Sequence, residues 1–246
     1  MEPYRPINTL KPVADEIWLV DGPIIGFRYL GMRLPFPTRM AIVRLADGGL
    51  WLHSPTELTP ALRAEVEQLG PVRHLIAPNR IHYWWIADWQ RAFPDALAYA
   101  APGARETAAA RGIRFDRDLS GEPDSEWAGQ IDQLLVPGRY LTEAVFFHRA
   151  SGTLILTDLI QSFEPGKIES PWLRLAMRLA GCLHPDGSMP RDLRLTFLGH
   201  HRAFRRAVLT MLAWQPARVI IAHGHWYAED AVRELRRAFR WLGALD

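Results

Sequence analysis

Residues 59–82 read TPALRAEVEQLGPVRHLIAPNRIH and contain a helix, a strand and the turn that leaves the strand. Thr59 is an N-cap residue, Pro60 suits the first helical position, and Leu62, Val66 and Leu69 make an apolar stripe that Gly70 closes. Val72–Ile76 (VRHLI) is a short, mostly apolar run suited to a buried strand, and it exits through Ala77-Pro78-Asn79. Helix followed directly by buried strand is the repeating unit of an α/β fold.

Working outward, the pattern continues on both sides. Glu16–Asp21 (EIWLVD), Met40–Leu45 (MAIVRL) and Leu50–His53 (LWLH) predict strands, with Asp47-Gly48-Gly49 as a turn between the last two. Ile81–Phe93 predicts a helix and Ala96–Ala100 a strand. Residues 116–127 are polar and rich in Gly, Pro and Asp, which predicts a loop. Gln133–Val136, Ala144–His148 and Thr153–Thr157 predict three strands in succession, the last two joined at Ser151-Gly152. A loop over 161–170 precedes helices over 171–180 and 201–213, and Arg218–Ala222 is a final strand. The closing helix is the plainest: Ala231, Val232, Leu235, Ala238, Phe239 and Leu242 share one face, with Arg and Glu between them. No linker or repeat divides the chain, so one domain over 1–246 is expected, a β core flanked by helices.

Composition narrows the function. A chain of 246 residues has enough length to bury roughly 70–75% of its unfolded surface. The formal net charge of +2 argues against a nucleic-acid-binding body, and no nucleic-acid partner is expected. All but two of the 29 cations, Lys11 and Lys167, are Arg. Cys182 stands alone, which excludes an internal disulfide framework, CxxC redox chemistry and a multi-cysteine zinc site. The start, MEPYRPINTLKPVADE, has charges where a signal peptide has apolar residues, and no run approaches the ~18–20 apolar residues of a membrane span. The expected location is the cytoplasm.

Any metal site must therefore use His and carboxylate. Three strands exit into such residues: VRHLI into His82 after Pro78-Asn79, TLILT into Asp158, and VIIA into His223-Gly224-His225. In α/β folds, chemistry collects at these handovers from strand to loop. Two His and one Asp suit zinc, with iron or manganese as less selective occupants. His53 in LHSP reads as a buried structural residue, and His200-His201 beside Arg202, Arg205 and Arg206 as a solvated helix face.

The order of these motifs resembles the metallo-β-lactamase-like superfamily, an αββα sandwich with metal ligands at successive strand ends. More specifically it is similar to a bacterial domain-of-unknown-function family within that fold. The resemblance rests on Asp47–Pro55, Ala77–His82 (APNRIH), Glu143–His148 (EAVFFH), Leu154–Leu159 (LILTDL) and Ala222–Gly224 (AHG), and covers the chain from about Ile17 to Trp241. It implies Asp158 and His223 as metal ligands. It also exposes a departure. Where the superfamily has T-H-x-H-x-D-H, this chain reads Ala77-Pro78-Asn79-Arg80-Ile81-His82-Tyr83, and Pro137-Gly138 is followed by Arg139 rather than His. The expectation is a reduced, mononuclear site of His82, Asp158 and His223. His225 competes with His223, because strand neighbours face opposite sides, and the AHG match favours His223. Glu143 is a fourth ligand, a general base, an orienting partner of His82 or Arg139, or a plain surface Glu. Arg139 is the candidate to meet developing negative charge.

The implied activity is a metal-dependent hydrolase of a small-molecule ester, lactone, thioester or phosphoester. A binding module that has lost catalysis is the alternative. Two further features bear on this. Residues 171–206 hold seven Arg against Asp186 and Asp192, which reads as an ordinary amphipathic surface, a cap over an anionic substrate, or a membrane-surface or nucleic-acid contact. Trp84, Trp85, Trp89 and Trp226 lie near the expected ligands, where they either wall an apolar site or fill it.

Overall fold

The computed structural model describes residues 1–29 and 31–245. Strands β1 (Lys11–Ala14), β2 (Ile17–Tyr29), β3 (Met32–Arg44), β4 (Leu50–His53), β5 (Val72–Ala77), β6 (Leu97–Ala100) and β7 (Arg117–Asp118) form one sheet in chain order. Its first four strands are antiparallel and its last four parallel. The parallel crossovers carry α1 (Pro60–Leu69), α2 (Ile86–Ala92) and α3 (Ala104–Ala109). A second sheet has the order β12-β10-β9-β8, from β8 (Ile131–Val136), β9 (Glu143–His148), β10 (Thr153–Ile155) and β12 (Arg218–Ile220). Between β10 and β12 run β11 (Gln161–Ser162), α4 (Pro171–Ala180), α5 (Arg191–Leu195) and α6 (His201–Ala213). The chain closes with β13 (His223–Gly224), paired with β11, and α7 (Ala231–Ala238).

Side-chain alternation sorts these elements into four layers. Along β3, Ala41 and Val43 face the space between the sheets, while Met40 and Ile42 face α1 and α2. Along β9, Ala144 and Phe146 face inward, while Val145 and Phe147 meet α6 and α7. Trp51, Tyr99 and Trp127 fill the middle of the sandwich with edge-on ring contacts at 6.1 and 4.9 Å. The result is the αββα sandwich expected of the sequence.

Helix α1 is terminated as its sequence requires. The Thr59 hydroxyl accepts from the Leu62 N–H at 3.2 Å, with Pro60 in the first turn. Thr59→Ala is expected to cost about 1 kcal/mol, seen as a lower urea midpoint at unchanged slope.

The structure departs from the sequence expectation in three places that matter for the site. The strands expected over 16–21 and 40–45 are the roots of one long hairpin, β2–β3, which continues past a register irregularity between Asp21 and Ile24. Gly22, Pro23, Pro35 and Pro37 interrupt the strand pattern in sequence, yet the hairpin tolerates them. The helix expected over 81–93 begins only at Ile86, because the Asn79 carboxamide oxygen takes the Ile81 and His82 N–H groups at 2.9 and 3.2 Å and closes a turn instead. The strand expected over 153–157 ends at Ile155, and a turn then presents Thr157 and Asp158.

Candidate metal centre

His82, Asp158 and His223 follow the ends of β5, β10 and β12, and the fold brings them together. One ligand atom from each lies within 4.8 Å of the others. His82 Nε2 is 3.2 Å from His223 Nε2 and 3.1 Å from Asp158 Oδ2, and His223 Nε2 is 3.4 Å from Asp158 Oδ1. Asp158 and His223 are buried, and His82 is nearly so.

Each ligand is held from behind. The Pro37 carbonyl lies 2.7 Å from His223 Nδ1 and can only accept, so Nδ1 carries a proton and Nε2 is the ring nitrogen that faces the cluster. His82 Nδ1 meets the Ser54 hydroxyl at 2.7 Å. On either side of His223, the Arg39 guanidinium donates to the Ile221 and Gly224 carbonyls at 2.6 and 2.9 Å, and it is itself paired with buried Asp21. Gly224 permits the close pairing of β13 with β11: its φ is +103°, and a Cβ there would lie 2.1 Å from the Ser162 carbonyl oxygen.

Asp158 is anchored by Glu143 and Asn79. The two Glu143 oxygens accept the Thr157 and Asp158 N–H groups at 2.7 and 2.8 Å, so the carboxylate pins the turn that carries the ligand. The Asn79 amide donates to Asp158 Oδ2 at 2.7 Å and to the Thr157 hydroxyl at 2.9 Å. Burial alone would raise the Asp158 pKa. The charge and hydrogen bonds of His82 and His223 outweigh that and hold it below the usual carboxylate range. Glu143 moves the other way, upward, chiefly through burial and then through the Asp158 charge.

The donor set fits a divalent ion. A tetrahedral ion with bonds of about 2.0–2.1 Å separates its ligand atoms by roughly 3.3 Å; the two imidazole nitrogens stand 3.2 Å apart, and each approaches a different oxygen of the Asp158 carboxylate, at 3.1 and 3.4 Å. Two imidazoles and one carboxylate would supply three ligands to such an ion, and all three residues line the adjoining cleft.

That cleft has a volume of about 360 Å³ and is walled by Phe36, Trp84, Trp85 and Met177, with His82, Asp158 and His223 in its lining. Trp84 and Trp85 therefore wall the space without filling it. Trp89 lies elsewhere, buried beneath the first sheet with its indole N–H donated to the Thr56 carbonyl, and Trp226 packs beside the core.

Other sequence candidates fall outside the cluster. His225 turns towards Glu164, at 3.7 Å, and against the His184 ring. His53 packs on Trp51 and Phe146, where burial and then the His82 charge depress its pKa to about 3 and keep it neutral. Of the two proposed catalytic groups, Arg139 is exposed and does not line the cleft, while its backbone N–H binds the Thr196 carbonyl. Glu143 has no exposure at all, so it is neither a surface residue nor open to a substrate. Sequence reasoning assigned no role to Ser54, Asn79, Pro37 or Arg39. Ser54 and Asn79 do stand inside the quoted HSP and APNRIH motifs, and an Asn after Pro at a strand exit is a turn-forming signal.

An αββα sandwich with a His/Asp/His cluster at its strand ends defines the class of the metallo-β-lactamase fold, and solved structures agree. DIM-1 metallo-β-lactamase is 13% identical, with a TM-score of 0.62, over 94% of this chain and 95% of that one. The metallo-β-lactamase from Pontibacter korlensis is 13% identical, with a TM-score of 0.62, over 95% and 98%. FIM-1 from Pseudomonas aeruginosa, solved in a mono-zinc form, is 15% identical, with a TM-score of 0.59, over 96% of each chain. Within that fold, the chain belongs to the family described as Domain of unknown function (DUF4336), which it matches over residues 14–241. The sequence has no match among curated proteins.

Proposed function

We propose that this protein is a mononuclear metal-dependent hydrolase acting on a substrate whose non-reacting part is apolar. The observation that carries the reading is the convergence of His82 Nε2, His223 Nε2 and the two Asp158 carboxylate oxygens, at 3.1–3.4 Å, in the lining of an apolar cleft. A divalent ion held by His82, Asp158 and His223 supplies Lewis-acid activation of water and of a carbonyl or phosphoryl group. Zinc suits two imidazoles, one carboxylate and an open position best, ahead of iron or manganese.

The chain's own residues do the rest. The Pro37 carbonyl and the Ser54 hydroxyl fix the ring orientations, and Glu143 and Asn79 fix the carboxylate. Phe36, Trp84 and Trp85 exclude bulk water around the reacting bond. The volume of about 360 Å³ falls within the range of small-molecule sites. The reactive bond is an ester, lactone, thioester or phosphoester, with an alkyl or aryl group towards the cleft. The Arg139 and Glu143 roles in proton and charge transfer are set aside, since neither side chain reaches the cleft.

Two measurements test this. With zinc supplied, kcat/KM towards a series of acyl esters and thioesters should rise roughly 4-fold per added methylene until the cleft is full, as burial of about 0.8 kcal/mol per CH₂ requires. No turnover of any ester, lactone, thioester or phosphoester, with any of the three metals, overturns the hydrolase. Ser54→Ala should weaken zinc 10–100-fold in competition with a chelating dye, because the His82 ring loses its hydrogen-bond partner at Nδ1, behind the nitrogen that faces the cluster. The binding-module alternative draws on Pro78 and Arg80 standing where the fold's first metal is usually held, and it predicts ligand binding without turnover.

A further inference from the structure

Among the described residues, seven large hydrophobic side chains are exposed: Met32, Tyr140, Trp172, Leu175, Leu179, Leu195 and Leu198. Chance would scatter them, and single exposed apolar residues need no explanation. Here all seven lie on or beside segments that border one opening, the mouth of the apolar cleft. Met32 and Tyr140 line it directly. Trp172, Leu175 and Leu179 sit on α4, and Leu195 and Leu198 close α5 and the turn after it, next to the lining residue Leu193.

Helix α4 is apolar on two sides. Leu173, Ala176, Met177 and Ala180 face the cleft, at the spacing of one helical face. Trp172, Leu175 and Leu179, spaced three and four apart, form a second stripe that faces water, with Trp172 81% and Leu179 63% exposed. A helix built only to cover the cleft would carry polar residues on that outer side.

The segments that flank this opening carry mostly positive charge. The chain has no carboxylate between Asp21 and Asp47, which spans nearly all of the β2–β3 hairpin, and none between Glu169 and Asp186, which spans α4. Arg28 and Arg33 stand exposed at the far end of the hairpin, and Arg174 and Arg178 stand on α4. The acid nearest the mouth is Asp192 on α5, between Arg191 and Arg194. In a protein whose formal net charge is only +2, these four arginines thus stand on segments without a neighbouring acid in sequence.

We propose that this face docks on an anionic lipid surface, with the outer stripe of α4 and Met32 entering the headgroup boundary and the arginines meeting lipid phosphates. Trp, Leu and Arg on one short amphipathic surface are the chemistry of interfacial binding, and Arg keeps its guanidinium in the polar layer while its stem lies along apolar neighbours. The inference extends the acyl-substrate reading, since docking would open the cleft onto the phase where apolar substrates reside. The docking itself does not depend on catalysis.

Flotation of the full chain with vesicles tests it, with and without zinc and with no substrate. The chain should float with phosphatidylcholine vesicles containing phosphatidylglycerol, much less with phosphatidylcholine alone, and less as salt is raised. Trp172→Glu with Leu179→Glu should cut partitioning at least about tenfold, and Arg33→Glu and Arg178→Glu about fivefold or more each. These positions are exposed, so melting curves should match the wild type. As a readout independent of charge reversal, brominated lipids should quench wild-type emission more than that of Trp172→Phe. No flotation, flotation unchanged in these variants, or quenching equal in Trp172→Phe overturns the proposal. So does a solution dimer, or an oligonucleotide complex, that the same substitutions abolish in place of vesicle binding. A chain that floats but hydrolyses nothing fails only as an enzyme, whereas one that hydrolyses soluble acyl esters without floating fails only here.

Discussion

Replacing His223 with alanine is expected to remove a divalent ion from a protein that otherwise carries close to one per chain. A four-ligand zinc site is worth about 10–16 kcal/mol, so one ligand contributes roughly 3 kcal/mol, or at least about 100-fold in affinity. His223 should exceed this average, because its loss also leaves the Pro37 carbonyl without its imidazole donor. Zinc at about a thousandfold above its Kd stabilises the native state by about 4 kcal/mol. For a chain of this size that is roughly 8–16 °C in Tm. Wild type should show that shift on adding zinc and lose it with chelator, and His223→Ala should show neither. Asp158→Asn should behave like His223→Ala, since it removes the one negative charge between the two imidazoles. Elemental analysis beside thermal unfolding reads both results. A wild type that folds without metal and ignores added zinc would leave the binding module as the better account.

The same residues show what a sequence of this kind discloses. Elements governed by local chemistry were readable: α1 follows from Thr59, Pro60 and its apolar stripe, and β9 from the run EAVFFH. The clustering of His82, Asp158 and His223 was readable because each follows an apolar strand. The β2–β3 hairpin was only half readable, since its glycines and prolines mimic loop chemistry and its continuity comes from cross-strand pairing. The Ile81–His82 turn was hidden because one side chain, Asn79, outbid an apolar spacing that suits a helix. Glu143 and Arg139 were misjudged for one reason. Their neighbours in sequence suggest a site, but burial is decided by what packs on them. Glu143 is sealed in by a turn 14 residues further on, and Arg139 faces solvent.

Glu143 carries the second large effect, and it separates anchoring from proton transfer. Both of its oxygens are spent on backbone N–H groups in a site closed to water. Glu143→Ala would leave the Thr157 and Asp158 donors without acceptors, at about 1–3 kcal/mol each, and would add a cavity. A total loss of about 3–5 kcal/mol is expected, read from urea unfolding. Glu143→Gln keeps one acceptor oxygen but turns an amide N–H₂ towards a backbone donor, so roughly half that loss is expected. The zinc affinity of Glu143→Gln should fall with its stability, because the turn it pins is the one that holds Asp158. A general base would give a different pattern: kcat lower by about 10²–10⁴, with stability and metal affinity intact. In zinc-loaded Glu143→Gln, the anchoring role predicts that turnover per bound metal falls less than tenfold. The carboxylate thus acts one residue removed from the chemistry, by fixing where Asp158 stands.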